Sequence, residues 1–267
     1  MTENSSNFDI LTKEGILSHI KPEFSLPQIQ VFDTVTSTNL LAKEAGVSGL
    51  PHGSIIVASH QTAGRGRLGR TFYSPSASGI YMSTLLRPTL SLEETTLITT
   101  CAAVSVCEAI EALTDLSPKI KWVNDIFING KKVCGILTES VLSTSGSIDF
   151  SVLGIGINVY PPENGFPDDI SNIATALFTE PVYGFRNRLV AEIYNSFMSH
   201  YDSLSTRAHI PLYKSRCFVL NKPISVISNG TSTPATALDI DNDCRLLVKY
   251  ENGSQEYLSS GEISIRV

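Results

Sequence analysis

The pattern of apolar residues changes after Pro211, and this change limits the folds that the chain can adopt. Before that point, spacings typical of helices and of strands alternate. Beyond it, short apolar runs are separated by tight-turn signals such as Asn229-Gly230 and Asn252-Gly253. Asn-Gly between apolar runs is typical of a two-residue hairpin, and regular short strands without helices indicate a small closed sheet. We therefore predict a small β-barrel domain over residues 213–267.

Residues 28–212 have the mixed pattern of an α+β domain. Leu189, Ile193 and Phe197 follow the i, i+4, i+8 spacing of a helix over 186–204, and Asn129-Gly130 predicts a hairpin. Further predicted elements are strands at 30–35, 53–60, 78–88 and 149–159 and helices at 37–46 and 95–113. These elements predict a mixed or antiparallel sheet flanked by helices, preceded by a polar lead of residues 1–27.

Composition narrows the choice of partners. The net charge of -6 over 267 residues makes the chain a poor general binder of nucleic acid. Five cysteines, an odd number without a C-x-x-C pair, fit reduced thiols rather than a disulfide framework. The N-terminus lacks an apolar signal region, and no stretch approaches the roughly 20 apolar residues of a membrane span. We expect a soluble, cytoplasmic protein with neither DNA nor membrane as a partner.

The stretch QTAGRGRLGR, residues 61–70, combines a G-x-G-x-x-G spacing with three arginines. A dinucleotide-binding loop requires a helix that begins inside it and an acidic residue after the next strand. Neither is present, because TFYSPSASG follows the loop and the next strand ends in Arg87-Pro88. The Walker A pattern is absent as well. The sequence therefore argues against a dinucleotide site in this loop.

The arginines of the same loop offer another interpretation. Glycines allow positive φ, and guanidinium groups bind carboxylate or phosphate through paired donors. A flexible cationic loop suits an anionic small molecule whose arrival orders it. The alternative is a solvated surface loop whose arginines have no specific partner.

Other short motifs decide between these two interpretations. GRGRLGR, KWVND, KKVCGIL, TSTN, GIGINV and the terminal GEISIR together resemble the biotin–protein ligase (biotin–[acetyl-CoA-carboxylase] ligase) family, from about residue 30 to the C-terminus. The related lipoate–protein ligases are the alternative, although they lack this Arg-Gly loop and the small C-terminal barrel. The resemblance implies a class II synthetase-like domain over 28–212 and an SH3-like barrel over 213–267.

The resemblance also implies an activity. Family members make biotinyl-5′-AMP from biotin and MgATP and pass biotin to a lysine of a biotin carboxyl carrier protein or domain. Monomers and sheet-mediated homodimers both remain open. The lead of residues 1–27 is too short for the winged helix-turn-helix that some members carry, so we expect no DNA-binding repressor role.

The charged residues acquire roles by the same resemblance. Arg65 and Gly66 wrap the biotin side, and Arg67 holds the biotin carboxylate and the α-phosphate. Lys132 lies at the same two groups and stabilises the charge of the transition state. Asp125 either places Mg²⁺ or acts as a base in the second step, and both roles remain open. The residues expected to carry the chemistry are Lys132, Arg67 and Asp125.

The uncharged residues of the motifs are expected to contact the two substrates, biotin and ATP. The resemblance places Ser37, Thr38, Asn39, Gln61 and Gly135 around the ureido ring and chain of biotin. It assigns further positions to ATP or the adenylate, namely Arg70, Phe72, Lys121, Asn124, Asn158 and Arg266. We expect no metal-ligand cluster, because Mg²⁺ would be held mainly through phosphates and water.

Overall fold

The computed structural model describes residues 9–92, 94–228 and 230–259, and the backbone of residues 264–266. Its centre is a seven-stranded mixed sheet in the order β1-β2-β3-β7-β6-β5-β4. Only β1 and β2 pair in parallel, and every other neighbouring pair is antiparallel. The strands are β1 (Ile29–Val35), β2 (Ile55–Gln61), β3 (Gly79–Leu86), β4 (Lys119–Lys121), β5 (Asp125–Ile128), β6 (Lys131–Leu142) and β7 (Ile148–Asn158).

Helices cover both faces of this sheet, so the predicted α+β class is confirmed. They are α1 (Lys13–Leu17), α2 (Thr38–Val47), α3 (Thr95–Leu113), α4 (Phe185–Tyr201) and α5 (His209–Arg216). Alternation along a strand sends successive side chains to opposite faces. Ile55, Ile80 and Ile155 therefore join the main core with α3 and α4. Ile56 and Leu85 point to the other face, where they pack with Ala42 of α2.

The long helix α3 is buried from several sides, as its uniformly apolar sequence predicts. By length and composition it could cross a membrane, with a mean hydropathy of 1.5, so the expectation that no stretch approaches a span was too strong. In the folded chain, 72% of its apolar window is covered by protein. A core helix accounts for this composition.

The hairpin arm expected before Asn129-Gly130 is not one continuous strand. The chain reverses at Trp122, and β4 and β5 pair with each other, with Lys121 opposite Asp125. The Trp122–Val123 peptide bond is cis. This reversal brings the polar residues of KWVND together at one end of the sheet. The predicted hairpin itself is present, because β5 and β6 pair across Asn129 and Gly130.

The second sheet contains five antiparallel strands in the order β11-β10-β9-β8-β12. They are β8 (Pro223–Ser228), β9 (Thr231–Ile240), β10 (Leu246–Tyr250), β11 (Gln255–Leu258) and β12 (Ser264–Arg266). Sequence patterns missed β11, because this edge strand has mostly exposed polar residues. They also missed α5, which runs across the predicted domain boundary between residues 212 and 213.

The N-terminal segment is tied to α4 by buried polar groups. Arg186 Nε donates to Asp9 Oδ2 at 3.2 Å, and these side chains are only 6% and 3% exposed. Asn187 and Asn195 on the same helix donate to main-chain carbonyls of the segment. Residues 9–20 of the polar lead are therefore part of the packed structure.

Replacing Asp9 tests how much this tie contributes. Asp9→Ala leaves a buried guanidinium without its charge partner, so we expect the free energy of unfolding to fall by about 3–5 kcal/mol. Lys21→Ala is the matched control, because Lys21 forms an exposed ion pair with Glu192 on the same helix at 3.6 Å. Its expected effect in urea unfolding is below about 1 kcal/mol. Equal effects of the two changes would contradict the assignment.

The two sheets meet through α5 and the turn between β9 and β10. Trp122 Nε1 donates to the Cys244 carbonyl at 3.0 Å, and the Tyr213 hydroxyl donates to the Val123 carbonyl at 3.0 Å. His209 Nε2 lies 3.1 Å from Thr100 Oγ1 of α3, and the His209 side chain is buried. The reversal at Trp122 is therefore held by groups from the C-terminal side of the chain.

This interface predicts a pH dependence of stability. Burial lowers the pKa of His209 to about 4 from its ordinary value of 6.5. Between these two pH values, His209 is protonated in the unfolded chain but not in the folded chain. The free energy of unfolding therefore falls as the pH drops. From pH 7 to pH 4.5 we expect wild type to lose roughly 2 kcal/mol more than His209→Gln in denaturant unfolding. Parallel pH profiles for the two proteins would contradict this.

Candidate active site

A cavity opens on the α2 face of the large sheet, above a floor of small residues. Gly135 lies opposite Gly156 in the β6–β7 pair, and Gly154 lies one inward-facing position further along. A side chain at Gly156 would collide with the Phe72 ring, because its Cβ would lie 2.6 Å from Phe72 Cε1. The absence of side chains at Gly154 and Gly156 therefore allows Asn39 and Phe72 to pack directly against the floor of the cavity.

One end of the cavity is lined by neutral polar groups. Ser37, Thr38 and Asn39 lie at the start of α2, and Gln61 lies at the end of β2. The Thr38 amide donates to Gln61 Oε1 at 2.9 Å, and Gln61 Nε2 donates to Ser74 Oγ at 3.0 Å. The amide and hydroxyl groups can both donate and accept hydrogen bonds without carrying net charge.

Ser83 of β3 completes this polar group, and the sequence motifs did not reveal it. Its hydroxyl lies 2.6 Å from Asn39 Oδ1 and 2.8 Å from Thr38 Oγ1, and the residue is fully buried. The available signal was a serine in a largely apolar strand, GIYMSTLL. Such a residue is uninformative until the fold shows which polar groups face it.

The Arg-Gly loop folds back on itself over the mouth of the cavity. The Gly66 amide donates to the Arg70 carbonyl at 2.7 Å, and the Phe72 amide donates to the Gly64 carbonyl at 3.0 Å. Gly64 has no room for a side chain, because a Cβ would collide with the Phe72 carbonyl and Ser74 Oγ. Between β2 and β3 the only helical element is a three-residue 3₁₀ turn, Arg67–Gly69. The absence of a helix there agrees with the rejection of a dinucleotide loop.

The opposite end of the cavity is cationic. Lys132 Nζ lies 2.6 Å from Asp125 Oδ1, and Arg67 Nη1 donates to Asn124 Oδ1 at 3.2 Å. Burial lowers the pKa of the Arg67 guanidinium, while the Asp125 carboxylate acts in the opposite direction. Arg70 and Lys121 also line this end. An anionic ligand group would find several fixed positive charges there.

Asp125 has a distinctive environment within this cluster. Its Oδ1 is close to the Lys132 ammonium, yet the angles do not satisfy a hydrogen bond and the atom is otherwise buried without a partner. A buried acceptor of this kind retains the capacity to take a further donor or a cation. Among the residues that the structure describes, no three His, Cys, Asp or Glu side chains form a metal cluster.

Most of the positions predicted from the sequence line this one cavity. They are Ser37, Thr38, Asn39, Gln61, Arg65, Gly66, Arg67, Arg70, Phe72, Lys121, Asn124, Asp125, Lys132 and Gly135. Asn158 does not line it, because its amide donates to the Thr175 carbonyl at 3.1 Å beyond the end of the floor. Arg266 lies in β12, and its side chain is outside the described residues.

Comparison with known proteins divides the chain in the same way, into a larger N-terminal part and a smaller C-terminal part. The Biotin/lipoate A/B protein ligase family matches residues 31–158, and the Biotin protein ligase C terminal domain matches residues 219–266. The bifunctional ligase/repressor BirA of Bacillus subtilis is 32% identical over 263 residues, covering 95% of this chain and 81% of that protein. The biotin–[acetyl-CoA-carboxylase] ligase of Mycobacterium tuberculosis is 28% identical over 244 residues, covering 88% of each chain.

A solved structure shows the same architecture. The biotin protein ligase from Aquifex aeolicus, in complex with biotin and ATP, superposes with a TM-score of 0.73. The two are 26% identical, and the match covers 90% of this chain and 98% of that one. The chain therefore belongs to the biotin/lipoate A/B protein ligase family. Its second sheet lies within the match to the Biotin protein ligase C terminal domain.

Proposed function

We propose that this chain is an ATP-dependent biotin–protein ligase. It forms biotinyl-5′-AMP from biotin and ATP, releases pyrophosphate, and transfers biotin to a lysine of a biotin carboxyl carrier protein. The observation that carries this proposal is the polarity of the cavity, which is neutral at the Asn39 end and cationic at the Lys132 end. The similarity over most of the chain to a relative named as a biotin–[acetyl-CoA-carboxylase] ligase and to a solved biotin protein ligase supports it.

The neutral end suits the ureido ring of biotin. A cyclic urea offers two N–H donors and one carbonyl acceptor and carries no charge. Ser37, Thr38, Asn39 and Gln61 supply neutral partners of both kinds in a largely buried setting. Gly135, Gly154 and Gly156 keep the floor free of side chains, so that Phe72, Lys132 and Asn39 can lie directly above it and border the ring and its chain.

The cationic end addresses the main difficulty of the first step, which is to bring a carboxylate to a polyanionic triphosphate. A biotin carboxylate oxygen attacks the α-phosphorus, and the bond from that phosphorus to the pyrophosphate oxygen breaks. Lys132 and Arg67 are placed to hold the carboxylate and the α-phosphate and to stabilise the charge that builds there. Arg65 and Arg70 lie on the loop above them, and Lys121 lies beyond them.

In the second step, the amine of the acceptor lysine attacks the biotinyl carbonyl and AMP leaves. The amine must lose a proton, and Asp125 is the carboxylate nearest to Lys132 in the cavity. The same carboxylate, whose Oδ1 has Lys132 as an ion-pair partner, would also suit one coordination position of Mg²⁺, which prefers oxygen ligands. Bound Mg²⁺ would offset charge on the phosphates. Both roles for Asp125 remain part of the proposal.

Phe72 is the better placed of two aromatic residues for stacking on the adenylate. Its ring lies inside the cavity above Gly135 and Gly156, with Lys132 Nζ 5.9 Å from the ring centroid. Tyr73 is more than one third exposed and does not line the cavity. We infer that the aromatic residue that follows the Arg-Gly loop covers the bound intermediate.

The remaining parts of the proposal concern the whole protein. Residues 28–212 form the catalytic domain, residues 213–267 form the second domain, and Asn158 and Arg266 contact the nucleotide in the complete site. We expect a cytoplasmic enzyme without DNA binding, as a monomer or homodimer. A gel shift at physiological salt with tight, specific DNA binding would contradict the absence of a repressor role.

The central test is incubation with biotin, MgATP and a carboxyl-carrier domain, followed by an avidin blot. We expect labelling of the carrier only when biotin and ATP are both present. Lipoate in place of biotin serves as the comparison, with pyrophosphate release as the measurement. Faster pyrophosphate release with lipoate would identify a lipoate ligase and contradict the proposal.

Lys132→Ala should lower the rate of adenylate formation by at least about 100-fold while the fold is retained, because it removes a preorganised charge at the reacting groups. Biotin-dependent pyrophosphate exchange measures this rate. The neighbouring Lys131→Ala is the matched control, because Lys131 is exposed and contacts only the Ser171 carbonyl among the described residues. Similar exchange rates for the two variants would remove Lys132 from the mechanism.

Opening the loop should release the reactive intermediate. Arg67→Ala removes a charge from the covered end, and Gly64→Ser forces the loop out of this conformation because a Cβ has no room there. For each pyrophosphate released, we expect severalfold more biotin on lysines of an added bystander protein, since a closed loop shields the mixed anhydride from escape and water. Arg188→Ala, at a half-buried arginine of α4 that does not line the cavity, is the control. Bystander labelling at the wild-type level would contradict gating by the loop.

A further inference from the structure

Behind the neutral end of the cavity lies an ion pair that the sequence motifs did not reveal. Glu139 of β6 accepts from Lys43 Nζ at 2.5 Å and from Asn39 Nδ2 at 2.9 Å. Glu139 does not line the cavity, whereas Asn39 does. Any effect of Glu139 on a ligand in the cavity is therefore transmitted through its neighbours.

The contacts of Asn39 determine how its amide is turned. A carboxylate and a main-chain carbonyl can only accept, so the NH₂ group must face Glu139 and the Leu137 carbonyl at 3.4 Å. The amide oxygen accordingly faces the opposite side, where it accepts from Ser83 Oγ at 2.6 Å and lies against Gly154 of the floor. Among the described residues this oxygen has no second donor, so it can accept one more hydrogen bond from a ligand in the cavity, which Asn39 and Gly154 both line.

The neighbours of Glu139 favour the ionised form of its carboxyl group. Burial opposes its ionisation, but the hydrogen bonds from Lys43 and Asn39 prevail and hold the pKa of the carboxyl below its ordinary value. Arg65 of the loop adds a weaker attraction, with Nη1 3.9 Å from Glu139 Oε1. The carboxylate is thus anionic at neutral pH and can orient the amide in one direction only.

We propose that Glu139 is a positioning residue for substrate selection, which holds Asn39 with its oxygen toward the cavity so that the site accepts a ligand ring with an N–H donor. The inference rests on the proposed function and deepens it. A cyclic urea satisfies the Asn39 oxygen, whereas a dithiolane ring carries no N–H and would leave that oxygen without a partner. Lys43 contributes to this arrangement, because it binds one carboxylate oxygen of Glu139 and leaves the other for Asn39.

Glu139→Gln tests the proposal with almost no change of shape. In this variant Lys43 attracts the new amide oxygen, which leaves the new NH₂ group facing Asn39. Asn39 must then turn its own oxygen toward residue 139 and its NH₂ toward the cavity. We expect the KM and the Kd for biotin to rise roughly 10- to 100-fold, with kcat and the KM for ATP within about twofold of wild type.

The double variant Lys43→Met/Glu139→Gln provides the rescue. Without the ammonium, the glutamine can turn its oxygen to Asn39, and the KM for biotin should return to within about threefold of wild type. Lys43→Met alone leaves the carboxylate in place and should change the KM by less than about twofold. A role of Glu139 through Arg65 alone predicts no rescue, because the double variant also lacks the carboxylate.

Steady-state pyrophosphate release and direct titration with biotin are measured on the full chain, with the thermal midpoint as a check of folding. Wild-type KM in Glu139→Gln, failure of the rescue, or a loss in Lys43→Met as large as in Glu139→Gln would overturn this inference while wild type remains an active biotin ligase. If Glu139→Gln does not fold, the double variant and Lys43→Met still test the inference, because a rise of more than about tenfold in the KM for biotin in either variant would overturn it. Wild type without biotin binding or turnover would overturn the proposed function and this inference with it.

Discussion

The side-chain alternation of three antiparallel strands determines the rest of the structure. In β3, β6 and β7, one set of alternate positions carries large apolar residues that pack beneath α3 and α4. The other set places Ser83, Gly135, Gly154 and Gly156 on the opposite face. A shift of one residue in this register would exchange the two sets, fill the cavity with isoleucine and expose the core. The apolar packing on one face therefore fixes the register, and the register creates the space on the other.

The two ends of the resulting cavity differ in charge. Hydroxyl and amide groups surround the end at α2, and lysine and arginine surround the end at the β4–β5 reversal. Such a gradient places an elongated ligand in one orientation, with an uncharged head at one end and anionic groups at the other. Electrostatic stabilisation is strongest where water is excluded, which explains why the cationic end also needs a cover.

The reversal at Trp122 and the covering loop are stabilised from different parts of the chain. Trp122 and Val123 are held by Cys244 and Tyr213, so the C-terminal part of the protein supports the strand end that carries Asn124 and Asp125. Asn124 in turn accepts from Arg67 of the loop. The cationic end thus depends on three segments that are distant in sequence and adjacent in the fold.

The sequence by itself determined the parts of the protein that short-range chemistry decides. Asn-Gly turns, helical spacing and the composition of GRGRLGR predicted hairpins, helices and a cationic loop, because these features depend on neighbouring residues. Only the tertiary structure decided the rest. It placed Asn158 beyond the end of the cavity floor, folded β4 against β5, and placed Ser83 and Glu139 beside Asn39. An isolated serine or glutamate in a strand has no distinctive local signal, and its role arises from partners that strand pairing and helix packing bring to it.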